Sequence, residues 1–391
     1  MCFLCEREAA QRLGLIGEAS IATGLALSTD PIPTQDLISN AEAQFSQQLV
    51  VADGVMDLYL HAPGGAIEVS GGGFGTQTIQ SVPIAGQDQD YIRSIVNRLD
   101  SIIDLDFAFV GDAAQADTAF YYDQEIDTGG SGSGSTLGLA VSGRVGWELF
   151  VNYPEVADNW DYRQYVNVHE WGHSLGLEHP FEAGDGDTYE RNTNPWTSAF
   201  PEQTVMAYRS PESGDWPDFF TTSDLNALIE IWGAEAQFFS MEADEVWGQD
   251  YRESIYSARG DDLINAAAGN DLVRAGKGND FVNGNQGNDE IWGDLGDDTL
   301  RGGKDNDWLF GGIGNDALWG DRGADRFRVS KGDDTIWDFS FAAGDRLELE
   351  EELGYQLTQS GADLLFSTAL GSAMLINNNL SDFPVDAVVL V

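Results

Sequence analysis

Two rhythms of apolar residues divide this chain. In the first, Ile92, Ile95, Val96, Leu99 and Ile103 recur at steps of mostly three and four, which places their side chains on one face of a helix. The stretch "DYIRSIVNRLDSIIDLDFAFV" therefore predicts a helix that runs into a strand. "GAIEVS" and "GWELFVNY" predict strands. "NWDYRQYVNVHEWGHSLG" predicts a helix stopped at Gly176, and "TSDLNALIEIWG" one that opens on a Ser or Asp cap and stops at Gly233. "TGGSGSGSTLG" reads as a flexible glycine/serine loop. Helices and strands thus mix through the first 243 residues or so.

The second rhythm begins at Gly260 and has a period of nine. Aspartate recurs at Asp262, Asp271, Asp280, Asp289, Asp298, Asp307, Asp316, Asp325 and Asp334. Two positions after each stands an apolar residue: Ile264, Val273, Val282, Ile291, Leu300, Leu309, Leu318, Phe327 and Ile336. Two positions before each stands glycine, except at Asp305. Glycine admits the left-handed backbone of a tight turn, and aspartate and turn carbonyls offer hard oxygen ligands that suit Ca²⁺. One unit cannot bury its single apolar side chain alone, so units must stack into a solenoid. A plain acidic linker has no reason to keep an apolar residue in phase. The nonapeptide resembles the repeats-in-toxin (RTX) class, whose parallel β-roll binds calcium. Its glycines are eroded at Ala266, Ala267 and Ala268 and at Asp305, which weakens or removes some sites.

Composition narrows the partners. The formal charge of −47 repels nucleic acid and anionic membrane surfaces and calls for divalent counter-ions. No apolar run is long enough for a transmembrane helix. The opening "MCFLCEREAAQRLGLIGEASIATGLALS" lacks a clean basic start, and Glu18 breaks its apolar stretch, so it is a poor secretory signal. Cys2 and Cys5 are the only cysteines, which excludes a disulfide framework.

The chain has four histidines, and three of them, His169, His173 and His179, fall within "VHEWGHSLGLEHPF". His169 and His173 are a helical turn apart on one face. Gly176 lets the chain leave the helix so that His179 can return as a third ligand. Three neutral nitrogens leave one position open, as a catalytic Zn²⁺ needs. Glu170 is placed to act as general base on water there. His61, the fourth histidine, has no partner motif and reads as structural or surface.

"HEWGHSLGLEHP" resembles the metzincin zinc-protease signature, and Pro180 after the third histidine points to the serralysin branch. "TVMAY" resembles the Met-turn of that group. The resemblance implies an apolar floor at Met206 and a second role for Tyr208, as zinc ligand at rest and as oxyanion donor during turnover. "SDLNALIEIWGAE" resembles the helix that closes the protease domain. The implied architecture is an α+β metzincin protease domain followed by an all-β parallel β-roll. Its segments are a propeptide-like leader at 1–30, the protease domain at 31–243, the calcium-binding roll at 244–345 and a C-terminal β cap at 346–391 carrying a secretion signal.

The implied protein is a monomeric secreted zinc endopeptidase acting on proteins and peptides. It would hold one catalytic Zn²⁺ and several structural Ca²⁺, and leave the cell through a type I exporter without an N-terminal signal peptide. Family members usually end in an aspartate followed by three apolar residues, whereas here "DAVVLV" puts Asp386 two positions early. A Cys thiolate is a good zinc ligand, so Cys2 or Cys5 could close the open position in a latent form. The substrate is expected to lie as an extended strand along an edge near Leu137 to Val145. The rival reading is a non-catalytic calcium-binding adhesin or toxin that retains a zinc site.

Overall fold

The computed structural model describes residues 31–126, 136–143, 146–182, 188–194, 198–349, 354–384 and 387–390. The leader with Cys2 and Cys5, the glycine/serine stretch at 127–135 and Asp386 lie outside the described residues. The chain divides into two compact units, one up to Gly233 and one from Ala234 on. The division precedes the composition shift near residue 243, because Ala236–Phe238 already pairs in parallel with Ser254–Tyr256 as a rung of the second unit.

In the first unit the described elements run α1 (Asn40–Leu49), β1 (Val55–Leu60), β2 (Gly65–Val69), β3 (Gln77–Val82), α2 (Gly86–Leu99), β4 (Asp106–Phe109), β5 (Thr118–Asp123), β6 (Gly138–Ser142), β7 (Trp147–Asn152), α3 (Tyr153–Val156), α4 (Trp160–Ser174) and α5 (Thr222–Trp232). Strands β4, β1, β5 and β7 lie side by side in parallel. Strand β6 runs antiparallel to β7 and pairs with no other described strand. It is therefore an edge, in the segment where the sequence places a peptide-binding strand. The hairpin β2–β3 joins through a short antiparallel contact of β3 with β5. Every residue of β5 is buried, as befits a strand covered on both faces.

Helix α2 buries Ile92, Ile95, Val96 and Leu99, the stripe read from the sequence, and Ile103 beyond it is buried too. Each such side chain contributes about 1.5–3 kcal/mol. The cap of α5 is neither Ser nor Asp. Thr221 is the N-cap, and its side chain and Asp224 exchange hydrogen bonds with each other's backbone N–H in a capping box.

The second unit is a parallel roll. Among the described residues it forms one eight-stranded and one nine-stranded sheet, with successive units falling alternately into the two. Strands in one sheet pair in register with those eighteen residues on, as Val273 with Ile291 and Ile291 with Leu309. The apolar residue of every unit from Ile264 to Ile336 is at most 1% exposed and faces the interior. The turn glycines are obligatory: Gly278 has φ +138°, and a Cβ there would lie 1.6 Å from the Gly260 carbonyl oxygen. Asp305 stands in such a place with φ +75°, a conformation aspartate tolerates better than most residues.

Candidate active site and the aspartate ladders

Helix α4 is capped by the Asn159 side chain, which accepts the Tyr162 N–H. It ends at Ser174, and just beyond it Gly176 has φ +106°, where a Cβ would lie 2.8 Å from the Ala43 backbone. The chain then turns back. The Ser39 N–H donates to the Gly176 carbonyl, and the Glu178 N–H to the Leu37 carbonyl. These bonds fix the path that brings His179 to the two helical histidines.

The three imidazoles converge, with one ligand atom from each lying within 4.8 Å of the others. Every Nδ1 is tied off. His169 Nδ1 lies 2.7 Å from the Val205 carbonyl oxygen, His173 Nδ1 2.8 Å from that of Leu177, and His179 Nδ1 2.8 Å from Glu182 Oε1. A carbonyl oxygen only accepts, so His169 and His173 carry their protons on Nδ1 and keep Nε2 as a lone pair. His169 Nε2 and His179 Nε2 are 3.2 Å apart. Two nitrogens about 2.0–2.1 Å from a tetrahedral Zn²⁺ would be separated by about 3.3–3.4 Å, so the donor set fits that ion. Burial, and then the neighbouring imidazoles, hold His169 and His179 well below the ordinary histidine pKa. Both effects favour the neutral imidazole, the form able to bind a metal.

Glu170 is 1% exposed, and neither carboxylate oxygen has a hydrogen-bond partner among the described residues. Burial pushes its pKa well above the usual carboxyl range, and the nearby Ala140 N–H offsets only part of this. The carboxylate lies against edge strand β6: a Cβ on Gly138 would come within 2.3 Å of Glu170 Oε1.

Met206 is fully buried, and its thioether lies against Gly172 in the turn between His169 and His173. Tyr208 has its ring 4.7 Å from His179 and 5.8 Å from His169. Phe181 stacks on His179 at 4.9 Å and meets Tyr208 edge-on at 5.0 Å. The residues singled out in sequence, His169, Glu170, His173, His179, Met206 and Tyr208, are therefore gathered together. His61 lies apart from them, buried and hydrogen-bonded through Nδ1 to the Tyr59 hydroxyl.

Three contributors were not read from the sequence. Glu182 orients His179. Gly138 leaves room for Glu170. Asp224, fully buried, accepts the Val205 N–H at 2.9 Å, the Thr204 hydroxyl at 2.5 Å and the Thr221 N–H at 2.8 Å. It thereby ties the segment that orients His169 to the start of α5.

In the roll the aspartates form two ladders, one along each edge. Each Oδ1 accepts the backbone N–H of the acidic residue one rung earlier. One ladder runs Asp244, Asp262, Asp280, Asp298, Asp316, Asp334. The other runs Glu253, Asp271, Asp289, Asp307, Asp325, Asp345. The ladder aspartates from Asp262 to Asp334 are at most 3% exposed. Oδ2 of Asp271, Asp280, Asp289, Asp298, Asp307 and Asp316 is buried without a hydrogen-bond partner among the described residues. Burial raises these carboxyls, to about 6 at Asp289 and about 9 at Asp307. Hard oxygens orphaned in rows fit Ca²⁺, which would replace the missing hydrogen-bond donors. The ladders also reach beyond the repeats found in sequence, to Asp244 and Glu253 upstream and Asp345 downstream. Stepping back by nine from Asp262 would have found the first two.

Overlapping stretches between residues 247 and 338 match the RTX calcium-binding nonapeptide repeat (4 copies). This part of the chain consists of calcium-binding RTX repeats, which are typical of secreted proteins. No curated protein matches the chain. Among solved structures, it is similar to the extracellular lipase LipA of Serratia marcescens, with 18% identity over 41% of each chain and a TM-score of 0.22. It is also similar to the AlgE6R3 subunit of the Azotobacter vinelandii mannuronan C5-epimerase, with 18% identity, 39% of this chain, 81% of that one and a TM-score of 0.20. The GM1-bound ECX AB5 holotoxin matches with 14% identity, 53% of this chain, 93% of that one and a TM-score of 0.28. The chain thus spans about two fifths of the lipase. Among the described residues no helix is long and apolar enough to cross a membrane.

Proposed function

We propose that the chain is a secreted zinc endopeptidase of the serralysin type, whose first unit hydrolyses peptide bonds and whose roll folds on calcium. One observation carries the reading. Three buried histidines bring their ligand nitrogens together, beside a buried carboxylate and a strand edge that, among the described residues, have no partner. A structural histidine cluster has no need for that carboxylate.

His169, His173 and His179 hold the metal. Zinc there supplies a Lewis acid for the scissile carbonyl and lowers the pKa of water. The substrate extends along β6, on the side that no described strand occupies, and pairs with its backbone. Glu170, adjacent to both strand and triad, takes the proton from water and returns it to the leaving amine. The Tyr208 phenol donates to the oxyanion that develops on the substrate. Phe181 and His179 keep that phenol beside the triad.

Export follows from the same reading. Extracellular modules bind Ca²⁺ with Kd of about 10⁻⁴–10⁻³ M, so the roll stays unfolded inside the cell and closes outside. An unfolded chain suits a type I exporter that needs no N-terminal signal.

The test is Glu170→Gln. The variant should bind as much zinc as the parent and lose casein hydrolysis by about 10²–10⁴-fold. Cleavage at a near-normal rate would remove Glu170 from its role. Full zinc binding by the parent with no hydrolysis of any protein substrate would favour the non-catalytic adhesin.

A further inference from the structure

The ends of the aspartate ladders differ from their interiors. In the interior, Oδ2 is buried and, among the described residues, unpartnered at Asp280, Asp298 and Asp316 on one edge and at Asp271, Asp289 and Asp307 on the other. The residue five positions earlier offers no donor: Ala266, Ala275, Gly284, Gly293, Gly302 and Gly311 precede them in turn. Asp325, beside the Asp345 end, follows the same pattern: Gly320 precedes it by five, and a Cβ there would meet Asp325 Oδ2 at 2.2 Å.

At the ends, protein donors take the place of the missing partner. Ser257 stands where the interior has alanine or glycine. Its fully buried hydroxyl donates to Asp262 Oδ2 at 2.5 Å. At the far end of the same ladder the Ser330 hydroxyl donates to Asp334 Oδ2 at 2.7 Å. Before Asp262, Asp244 Oδ2 accepts both the N–H and the hydroxyl of Ser240. On the other edge Glu253 accepts the Gln249 N–H and the Gln237 amide, and Asp345 Oδ2 accepts the Ser340 N–H.

We propose that calcium is held only along the ladder interiors, by the aspartates from Asp271 to Asp325 whose Oδ2 meets no side-chain donor, and that the buried hydroxyls of Ser257 and Ser330 plug the two end positions at Asp262 and Asp334. The end rungs then close without the ion, and calcium zips the rungs between two preformed caps. The inference concerns the roll and stands apart from the protease reading.

The test counts calcium bound to the full chain by equilibrium dialysis at millimolar Ca²⁺, with circular dichroism to check folding. Asp289→Asn should lower the count by at least one ion, whereas Asp262→Asn and Asp334→Asn should leave it unchanged. Ser257→Gly, which restores the repeat's own glycine, should hold or raise the count. A lower count in Ser257→Gly would make the serine a ligand and overturn the idea, as would loss of an ion in Asp262→Asn. Should Asp289→Asn fail to fold, Ser257→Gly and Asp262→Asn still decide the matter.

Discussion

Asp224 is the most informative place to break the active site from a distance. It touches no histidine, yet it fixes Thr204 and Val205, and the Val205 carbonyl sets the ring of His169. Asp224→Ala strands the N–H groups of Val205, which is fully buried, and of Thr221, which is partly buried. Each unmet donor costs about 1–3 kcal/mol, and burial raises the Asp224 carboxyl, so part of the loss is offset by removing an unfavourable charge. The net expectation is a destabilisation of about 3 kcal/mol. Asp224→Asn keeps the oxygen that serves the two N–H groups and turns an NH₂ toward Thr204, whose hydroxyl can rotate to accept. That variant should lose about 1 kcal/mol. Urea unfolding of the calcium-loaded chain, followed by tryptophan fluorescence, orders the two. Competition with a zinc chelator then reads the site itself, where loss of orientation in a ligand's partner costs about 10–100-fold in metal affinity. Asp224→Ala with zinc affinity within twofold of the parent would refute the link from α5 to His169, whatever its stability.

Other outcomes follow from single contacts. Gly138→Ala puts a methyl group into the space of the Glu170 carboxylate; hydrolysis should fall about 10²-fold or more while chelator competition shows zinc retained, and an unchanged rate would separate β6 from the base. Glu182→Ala removes the acceptor of His179 Nδ1 and should weaken zinc about 10-fold, with Glu182→Gln recovering most of it. In the calcium-free chain, pH should act through the ladders. Folded carboxyls raised to about 7 at Asp280 and about 9 at Asp307 give stability that is full below about 4, the unfolded value, and is lost as pH rises through these folded values. Circular dichroism of the full chain in chelator should therefore show more strand at pH 4 than at pH 8, and no difference would contradict the burial of these groups.

Local rules made much of this legible. The helix of His169 and His173, its stop at Gly176 and the nine-residue register each depend on short spacings that sequence states directly. The contacts that finish the site are long-range. Gly138 meets Glu170 across the gap between a strand and a helix, and glycine in a strand carries no such message. Asp224 reads as an ordinary residue of a helix's first turn, and only folding shows Val205 lying on it. At the roll's start, Glu253 stands for aspartate and so hid a rung whose backbone pairs like the rest. The serine plugs were hidden for the opposite reason: Asp262 and Asp334 match the repeat, and their difference lies in Ser257 and Ser330.

The eighteen-residue step of the ladders makes the length of the roll a quantised variable. Excising eighteen interior residues would join each remaining amide to an equivalent carboxylate one rung on and keep both end caps on their own edges. Excising nine would preserve the motif letter by letter, yet hand every later unit to the opposite edge. Trp319 and Trp337, stacked at 5.5 Å one rung apart on one sheet, would survive the first change wherever the cut falls upstream of them. A cut of nine between them would send them to different sheets. The chain can therefore gain or lose whole turns at little structural cost, whereas half-turns rewire it.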